Sequence, residues 1–226
     1  MPDTAPEFTI ASEHRDFVEW RRERTHYAVW AIAADTPALQ AASAAVRQSL
    51  DGRLLASYRR QPHITLHLCG FPAAVGRRAD DFPAAALHAQ IAALQDAAPP
   101  PFELEIGGPA SFASAVYLAV GDPAGALQAS RRALARPGDT GDGHPYTPHV
   151  TCGLYRDAYH LPTLLRALAD CHPETPVRLP VARLTLMAYE AAVIGGPLLS
   201  LCEFDLVTRR ATVPDPALMA RLFGVA

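Results

Sequence analysis

The amino-acid sequence predicts an α+β fold in which two similar lobes, each made of strands and helices, share a cleft. Apolar runs of strand length alternate with helical stretches along the chain. Gly-Gly-Pro turns at 107–109 and 195–197 are typical of hairpins. The tetrapeptide Pro-His-(Ile/Val)-Thr occurs once in each half, at 62–65 and at 148–151. The pattern favours α+β, or a mixed sheet, over one long parallel sheet.

The first half of the chain is predicted to contain a short helix followed by two strand–helix units. Thr36-Pro37 is typical of a helix start, and the three prolines at 99–101 end the last helix. The predicted elements are a helix at 16–24, a strand at 27–33, a helix at 38–50, a strand at 62–68 and a helix at 83–96.

The second half is predicted to repeat this order, which indicates a duplicated lobe. Its first two strands are placed on either side of the Gly-Gly-Pro turn at 107–109. The predicted elements are strands at 102–106 and 115–120, a helix at 123–136, a Gly/Asp-rich loop at 137–143, a strand at 149–154, a helix at 161–169, and strands at 177–189 and 198–207.

Composition excludes several classes of protein. The chain of 226 residues has a net charge of -3, which argues against a protein that coats duplex DNA. No apolar stretch reaches the roughly 18 residues that a membrane span needs. All 20 basic residues are arginine, so Schiff-base chemistry and a Walker-A lysine are excluded. No Gly-x-Gly-x-x-Gly follows a strand, so a dinucleotide-binding fold is not expected.

The four cysteines are scattered and form no Cys-x-x-Cys pair. This spacing argues against metal knuckles and against a disulfide framework, and it favours reduced thiols in a cytoplasmic protein. The cysteines are Cys69, Cys152, Cys171 and Cys202.

The two His-x-Thr motifs carry the functional prediction. Side chains alternate along a strand, so His63 and Thr65 point the same way, as do His149 and Thr151. Two imidazoles facing one cleft can act as base and acid at neutral pH, and two hydroxyls can hold phosphate oxygens. In-line displacement at phosphorus needs such a pair of proton-transfer groups. No metal is required.

These motifs resemble those of the 2H phosphoesterase superfamily, and most closely its LigT-like branch of bacterial RNA 2′,3′-cyclic phosphodiesterases, historically called 2′-5′ RNA ligases. The segment 63–70, HITLHLCG, resembles the family's H-x-T-L-x-F-L-G strand, and a proline precedes His149 as in the family. The resemblance implies two pseudo-symmetric lobes with antiparallel sheets over residues 25–207. It leaves an N-terminal extension at 1–24 and a C-terminal tail at 208–226.

The resemblance also implies roles for the motif residues. His63 corresponds to the group that protonates the leaving ribose oxygen, and His149 to the group that deprotonates water. Thr65 and Thr151 correspond to the hydroxyls that hold the phosphate.

Two further substrate contacts are expected from the resemblance. Trp30 lies in a strand where the family places an aromatic residue that stacks on a base, although packing in the core is the alternative. Family members commonly carry arginine where this chain has Leu154; Arg156 has the same strand parity and is the expected substitute. Arg59-Arg60, before the first motif, either steers phosphates toward the cleft or is a solvated pair.

The expected function is the metal-independent hydrolysis of a 2′,3′-cyclic phosphate to a 2′-phosphomonoester by a cytoplasmic, monomeric enzyme without cofactor. Its expected substrates are RNA 3′ ends or small cyclic nucleotides, with no role for duplex DNA or membranes. The alternatives are a phosphodiesterase for another cyclic phosphate, such as a cyclic ADP-ribose derivative, and a nucleotide- or RNA-binding module without catalysis. Retention of both histidines and both threonines argues against the second alternative.

Overall fold

The structure, a computed structural model, describes residues 6–135, 146–173 and 175–224. The helices in these ranges are α1 (Val18–Arg21), α2 (Pro37–Ser49), α3 (Ala84–Ala97), α4 (Ala126–Leu134), α5 (Leu161–Ala167) and α6 (Pro216–Phe223), with a 3-10 turn at Ala169–Cys171. The strands are β1 (His26–Ala33), β2 (His63–Ala73), β3 (Asp81–Pro83), β4 (Phe102–Ser111), β5 (Ala115–Gly121), β6 (His149–Leu154), β7 (Val177–Val181), β8 (Arg183–Glu190), β9 (Leu199–Asp205) and β10 (Arg210–Thr212). The loop predicted at 137–143 lies outside the described residues.

The strands form two sheets, and each sheet is the centre of one lobe. The sheet of lobe 1 has the order β10-β9-β8-β1-β2-β3 and is antiparallel except for the parallel pair β2–β3. The sheet of lobe 2 has the order β6-β5-β4-β7 and is antiparallel throughout. The predicted α+β fold with two lobes is therefore confirmed.

The single strand predicted at 177–189 is wrong, because the chain changes sheets within it. β7 lies at the edge of lobe 2, where Pro180 is tolerated, and β8 lies inside lobe 1 beside β1. The carbonyl of Ala182, between the two strands, accepts from Leu206 N at 2.9 Å. The apolar pattern typical of a strand continues from β7 into β8, so the sequence does not show where the chain passes from one sheet to the other.

The Gly-Gly-Pro segment at 107–109 was also expected to be a turn, and it lies inside β4 instead. The β4–β5 ladder is irregular between Ile106 and Pro109, and the reversal comes at 112–114. A Cβ on Gly108 would lie 2.2 Å from the His172 ring, so this glycine makes room for a side chain.

Both segments outside the predicted domain of 25–207 pack against it. In the tail, Asp215 caps α6, because its carboxylate accepts from Leu218 N at 2.9 Å, and Phe223 of this helix is fully buried near Phe82. In the N-terminal extension, Thr9 is buried and its N–H donates to Tyr159 O at 2.9 Å. Within lobe 1, β10 pairs with β9 and α6 packs against β2.

The helices connect the lobes in a reciprocal way. α2 follows a lobe 1 strand but packs against β6 of lobe 2, whereas α4 follows a lobe 2 strand but packs against β2 of lobe 1. α2 begins as predicted, with Pro37 in its first turn and the Thr36 hydroxyl accepting from Leu39 N at 3.3 Å. This exchange places the two motif strands, β2 and β6, next to each other.

Candidate active site

The structure brings the four motif residues to the junction of the two lobes. His63 and Thr65 lie on β2 and His149 and Thr151 on β6, and the two strands are in contact. On both strands the residues between and after these positions belong to the hydrophobic core: Ile64, Leu66, Val150 and Cys152. Strand alternation therefore turns the histidines and threonines toward the cleft.

The two imidazoles are held in the same way. His63 Nδ1 lies 2.8 Å from Gln61 O, and His149 Nδ1 lies 2.7 Å from Thr147 O, in each case the carbonyl two residues earlier. A carbonyl only accepts, so Nδ1 carries the proton in both rings. Nε2 is then the nitrogen that each ring offers to a substrate.

His63 is neutral in the ligand-free protein at pH 7. Burial lowers its pKa to about 4, and the positive charge of Arg60 acts in the same direction. The hydrogen bond to the Gln61 carbonyl opposes this shift. The side chain is only 8% exposed, so water does little to stabilise the charged form of the imidazole.

The depressed pKa of His63 predicts a pH dependence of stability. Unfolded, this histidine binds a proton below about pH 6.5, but folded it resists protonation down to about pH 4, so stability falls as the pH falls through this window. Between about pH 7.5 and 5 the wild type should lose about 2 kcal/mol more free energy of unfolding than His63→Asn, which keeps a donor near Gln61. Urea unfolding at both pH values measures this difference. Equal losses in the two proteins would contradict it.

Each motif strand is braced by an arginine from the helix of the other lobe. Arg47 on α2 donates to Cys152 O at 3.4 Å, and Arg131 on α4 donates to Leu66 O. Both carbonyls belong to the residue that follows a motif threonine. The two lobes therefore repeat this contact, which joins α2 to β6 and α4 to β2.

Two tyrosines reinforce the same junction. The Tyr146 hydroxyl donates to Thr65 O at 2.8 Å, and its ring lies 3.4 Å from the Arg131 guanidinium carbon. Tyr58 lies near the Thr151 side chain. Burial raises the pKa of both tyrosines to about 12, so both are protonated at neutral pH. Sequence reasoning missed Tyr58, which lies in a segment without periodicity.

Trp30 does not line the cleft, which corrects the expectation that it stacks on a base. Its side chain is fully buried, and Nε1 donates to Gln90 Oε1 at 2.9 Å. On β1 it is Ala31 that lies opposite Thr65 and shares the cleft face. β1 is apolar on both faces, so its sequence has no alternation that shows which face points toward the cleft.

An aromatic pair lies beside His149 instead. Tyr117 pairs with Thr151 across the β5–β6 ladder, and the Phe112 ring stacks on it at 4.2 Å between centroids. Phe112 also meets the His149 ring edge-on at 4.9 Å. Phe112 lies in the turn after β4, where the alternation of side chains along a strand makes no prediction, so the sequence analysis did not identify it.

The arginines expected near the motifs line a common cavity. Arg156 follows the end of β6 at Leu154, so it does not continue the strand, and its side chain is exposed at a cavity of about 670 Å³. Arg60 lines the same cavity, with its guanidinium 4.0 Å from the Tyr189 ring. Arg60 is thus packed on an aromatic face and is not a freely solvated residue.

Metal clusters and membrane-spanning helices are both absent from the described part of the chain. Among residues 6–135, 146–173 and 175–224, no group of three or more His, Cys, Asp or Glu side chains is arranged to hold a metal ion. In the same ranges, none of the helices has the length and apolar character required to cross a membrane.

Comparison with solved structures shows which fold the chain shares. Ligand-free Escherichia coli LigT matches with a TM-score of 0.53 and 17% identity, over 81% of this chain and 98% of that one. E. coli LigT complexed with 3′-AMP matches at 0.51 and 18% identity, over 81% and 98%. TT0787 of Thermus thermophilus matches at 0.51 and 15% identity, over 80% and 97%. Comparison with curated proteins gives no match.

The family is established by the sequence itself. The model of the 2′-5′ RNA ligase superfamily matches residues 34–192, a range that contains both His-x-Thr motifs, and the LigT structures share the two-lobed fold. The chain belongs to the 2′-5′ RNA ligase superfamily of 2H phosphoesterases.

Proposed function

We propose that the protein hydrolyses 2′,3′-cyclic phosphates, on an RNA end or a small nucleotide, to 2′-phosphomonoesters without a metal ion. The observation that carries the proposal is the pair of imidazoles at one cleft, each with Nδ1 bound to a backbone carbonyl and Nε2 left for substrate. Membership of a phosphoesterase superfamily supports the proposal, as does the complex of E. coli LigT with 3′-AMP.

In the proposed mechanism the two histidines divide the proton transfers. His149 Nε2 accepts a proton from water as the water oxygen attacks phosphorus. The bond from phosphorus to the 3′ oxygen breaks on the opposite side, and His63 Nε2 donates a proton to that oxygen. The products are a 2′-phosphomonoester and a free 3′ hydroxyl, and Thr65 and Thr151 donate hydrogen bonds to the non-bridging oxygens.

The role of His63 as acid depends on the substrate. Alone, its low pKa leaves it neutral, but a phosphate anion within hydrogen-bond reach favours the imidazolium form. Substrate binding therefore charges His63 at the moment when a proton is needed. The Phe112 ring beside His149 replaces Trp30 as the proposed surface against which a base packs.

The proposed function is tested with a panel of nucleoside 2′,3′-cyclic phosphates, cyclic-ended oligonucleotides and other cyclic phosphates, assayed in EDTA. We expect turnover of the 2′,3′-cyclic substrates, with phosphorus NMR identifying the 2′-phosphomonoester, because the imidazoles supply the proton transfers. Activity that EDTA abolishes and zinc or magnesium restores would overturn the mechanism. Binding without turnover would favour a non-catalytic module.

The proposed setting is the cytoplasm, where the protein acts as a monomer on RNA ends or small nucleotides. All four cysteines are free thiols in the structure, which supports a reducing compartment.

A further inference from the structure

A cavity of about 670 Å³ lies next to the residues that precede His63. Gln61 and Pro62 line it and lead into His63, and the Gln61 carbonyl is the one that binds His63 Nδ1. Tyr58, which interacts with Thr151, forms another part of its wall. The volume falls within the range of small-molecule sites.

The cavity is positively charged although the protein is not. Four arginines and two aspartates line it, a net charge of +2, whereas the whole chain carries -3. The charged residues are Arg47, Arg59, Arg60, Arg156, Asp35 and Asp51. Among the described residues none of these four arginines forms a salt bridge with a carboxylate.

Neutral carbonyl oxygens hold three of these arginines in place. Arg47 donates to Cys152 O at 3.4 Å, Arg59 to Tyr58 O at 3.2 Å, and Arg60 to Gly196 O at 3.2 Å. A carbonyl positions a guanidinium without neutralising it, and each guanidinium has five N–H donors, of which these contacts use only some. The cavity therefore carries a net positive charge and has guanidinium donors left for an oxyanion.

We propose that this cavity is a second phosphate subsite, so that preferred substrates carry a further phosphate one nucleoside away from the cyclic phosphate. The inference rests on the proposed function for the placement of the cyclic phosphate at the dyad. The further phosphate is either the 5′-terminal phosphate of a mononucleotide or the internucleotide phosphodiester of an RNA end. Both present oxyanions to the same arginines.

A kinetic comparison tests the subsite. Three substrates are used: cytidine 2′,3′-cyclic phosphate, the same compound with a 5′-phosphate, and a dinucleotide ending in the cyclic phosphate. We expect kcat/KM to be at least about tenfold higher when the second phosphate is present, and this ratio to fall about tenfold in Arg59→Gln and in Arg156→Gln. Arg166→Gln, an exposed arginine on α5 outside the cavity, should leave the ratio unchanged.

A binding measurement separates failure of the subsite from failure of the proposed function. Inorganic pyrophosphate is titrated calorimetrically into the wild type and into the Arg59→Gln, Arg156→Gln and Arg166→Gln variants. We expect Kd to rise about tenfold in Arg59→Gln and not in Arg166→Gln, and binding to weaken with added salt. If no cyclic phosphate is hydrolysed but this pattern holds, the subsite stands and the proposed function fails.

The converse results are equally clear. If cyclic phosphates are hydrolysed but the second phosphate gives no advantage, the subsite is overturned while the proposed function stands. An unchanged Kd for pyrophosphate in Arg59→Gln and Arg156→Gln would also overturn the subsite. A preference for the dinucleotide over the 5′-phosphorylated mononucleotide would identify RNA ends as the source of the second phosphate, and the opposite preference would identify free nucleotides.

Discussion

Replacing either histidine of the pair lowers kcat by about 10²–10⁴-fold, the usual contribution of one positioned acid or base. The variants are His63→Ala and His149→Ala, assayed with a nucleoside 2′,3′-cyclic phosphate. Both rings are held through Nδ1 by backbone carbonyls, so each alanine removes one proton-transfer group and leaves the strand hydrogen bonds in place. The pH–rate profile should lose one limb in each variant.

His63 is the more buried of the two rings, so its alanine variant also leaves a small cavity. His63→Asn and His149→Asn control for this, because the asparagine amide can still donate to the same carbonyl. Thermal melts should show these variants folded, and their kcat should be as low as that of the alanine variants. Near-normal turnover in any folded variant would rule out the two-histidine mechanism.

The second large effect is expected from the threonine hydroxyls. Valine has nearly the shape of threonine and suits a strand equally well, but it cannot donate a hydrogen bond. Thr65→Val and Thr151→Val should each cost about 1–3 kcal/mol in kcat/KM, or about 5- to 150-fold, the loss expected for a hydrogen bond to a charged group. The double variant should lose more than either single variant, because both hydroxyls serve one phosphate.

Serine provides the matched control, since Thr65→Ser and Thr151→Ser keep the hydroxyl and should retain most of the activity. Tyr58→Phe separates a loss at the phosphate from a loss of the Tyr58 contact to Thr151. Thr65 has its backbone carbonyl bound by Tyr146, a contact that valine preserves. An unchanged kcat/KM in the double valine variant would remove the threonines from phosphate binding.

The motif residues and the two-lobed fold could be predicted from the sequence because they depend on local patterns. His-x-Thr on a strand places both side chains on one face wherever the strand lies, and the repeat of the motif indicated two lobes. The helix start at Thr36-Pro37 follows from capping by the Thr36 side chain.

The remaining features depend on contacts between distant residues. The side of the sheet on which the Trp30 side chain lies depends on the pairing of β1 with β2 and β8. The β1–β2 ladder is irregular beside this residue. The segment from 50 to 62 has no periodicity, yet its backbone is bound by both lobes through Leu154 O and Gly195 O. Tyr58 and the arginine-lined cavity both arise from this segment, so local patterns could not place them.

The order of the strands also has a consequence for how the protein folds during synthesis. Lobe 2 uses one continuous stretch of chain, from β4 to β7, and can close as soon as residue 181 has left the ribosome. The sheet of lobe 1 places β1 between β2 and β8, so β1 keeps an unpaired edge until the last fifth of the chain is made. Such an edge favours aggregation. The lobe that carries His149 is therefore expected to form before the lobe that carries His63, and chains arrested before β8 are expected to be the species that chaperones bind.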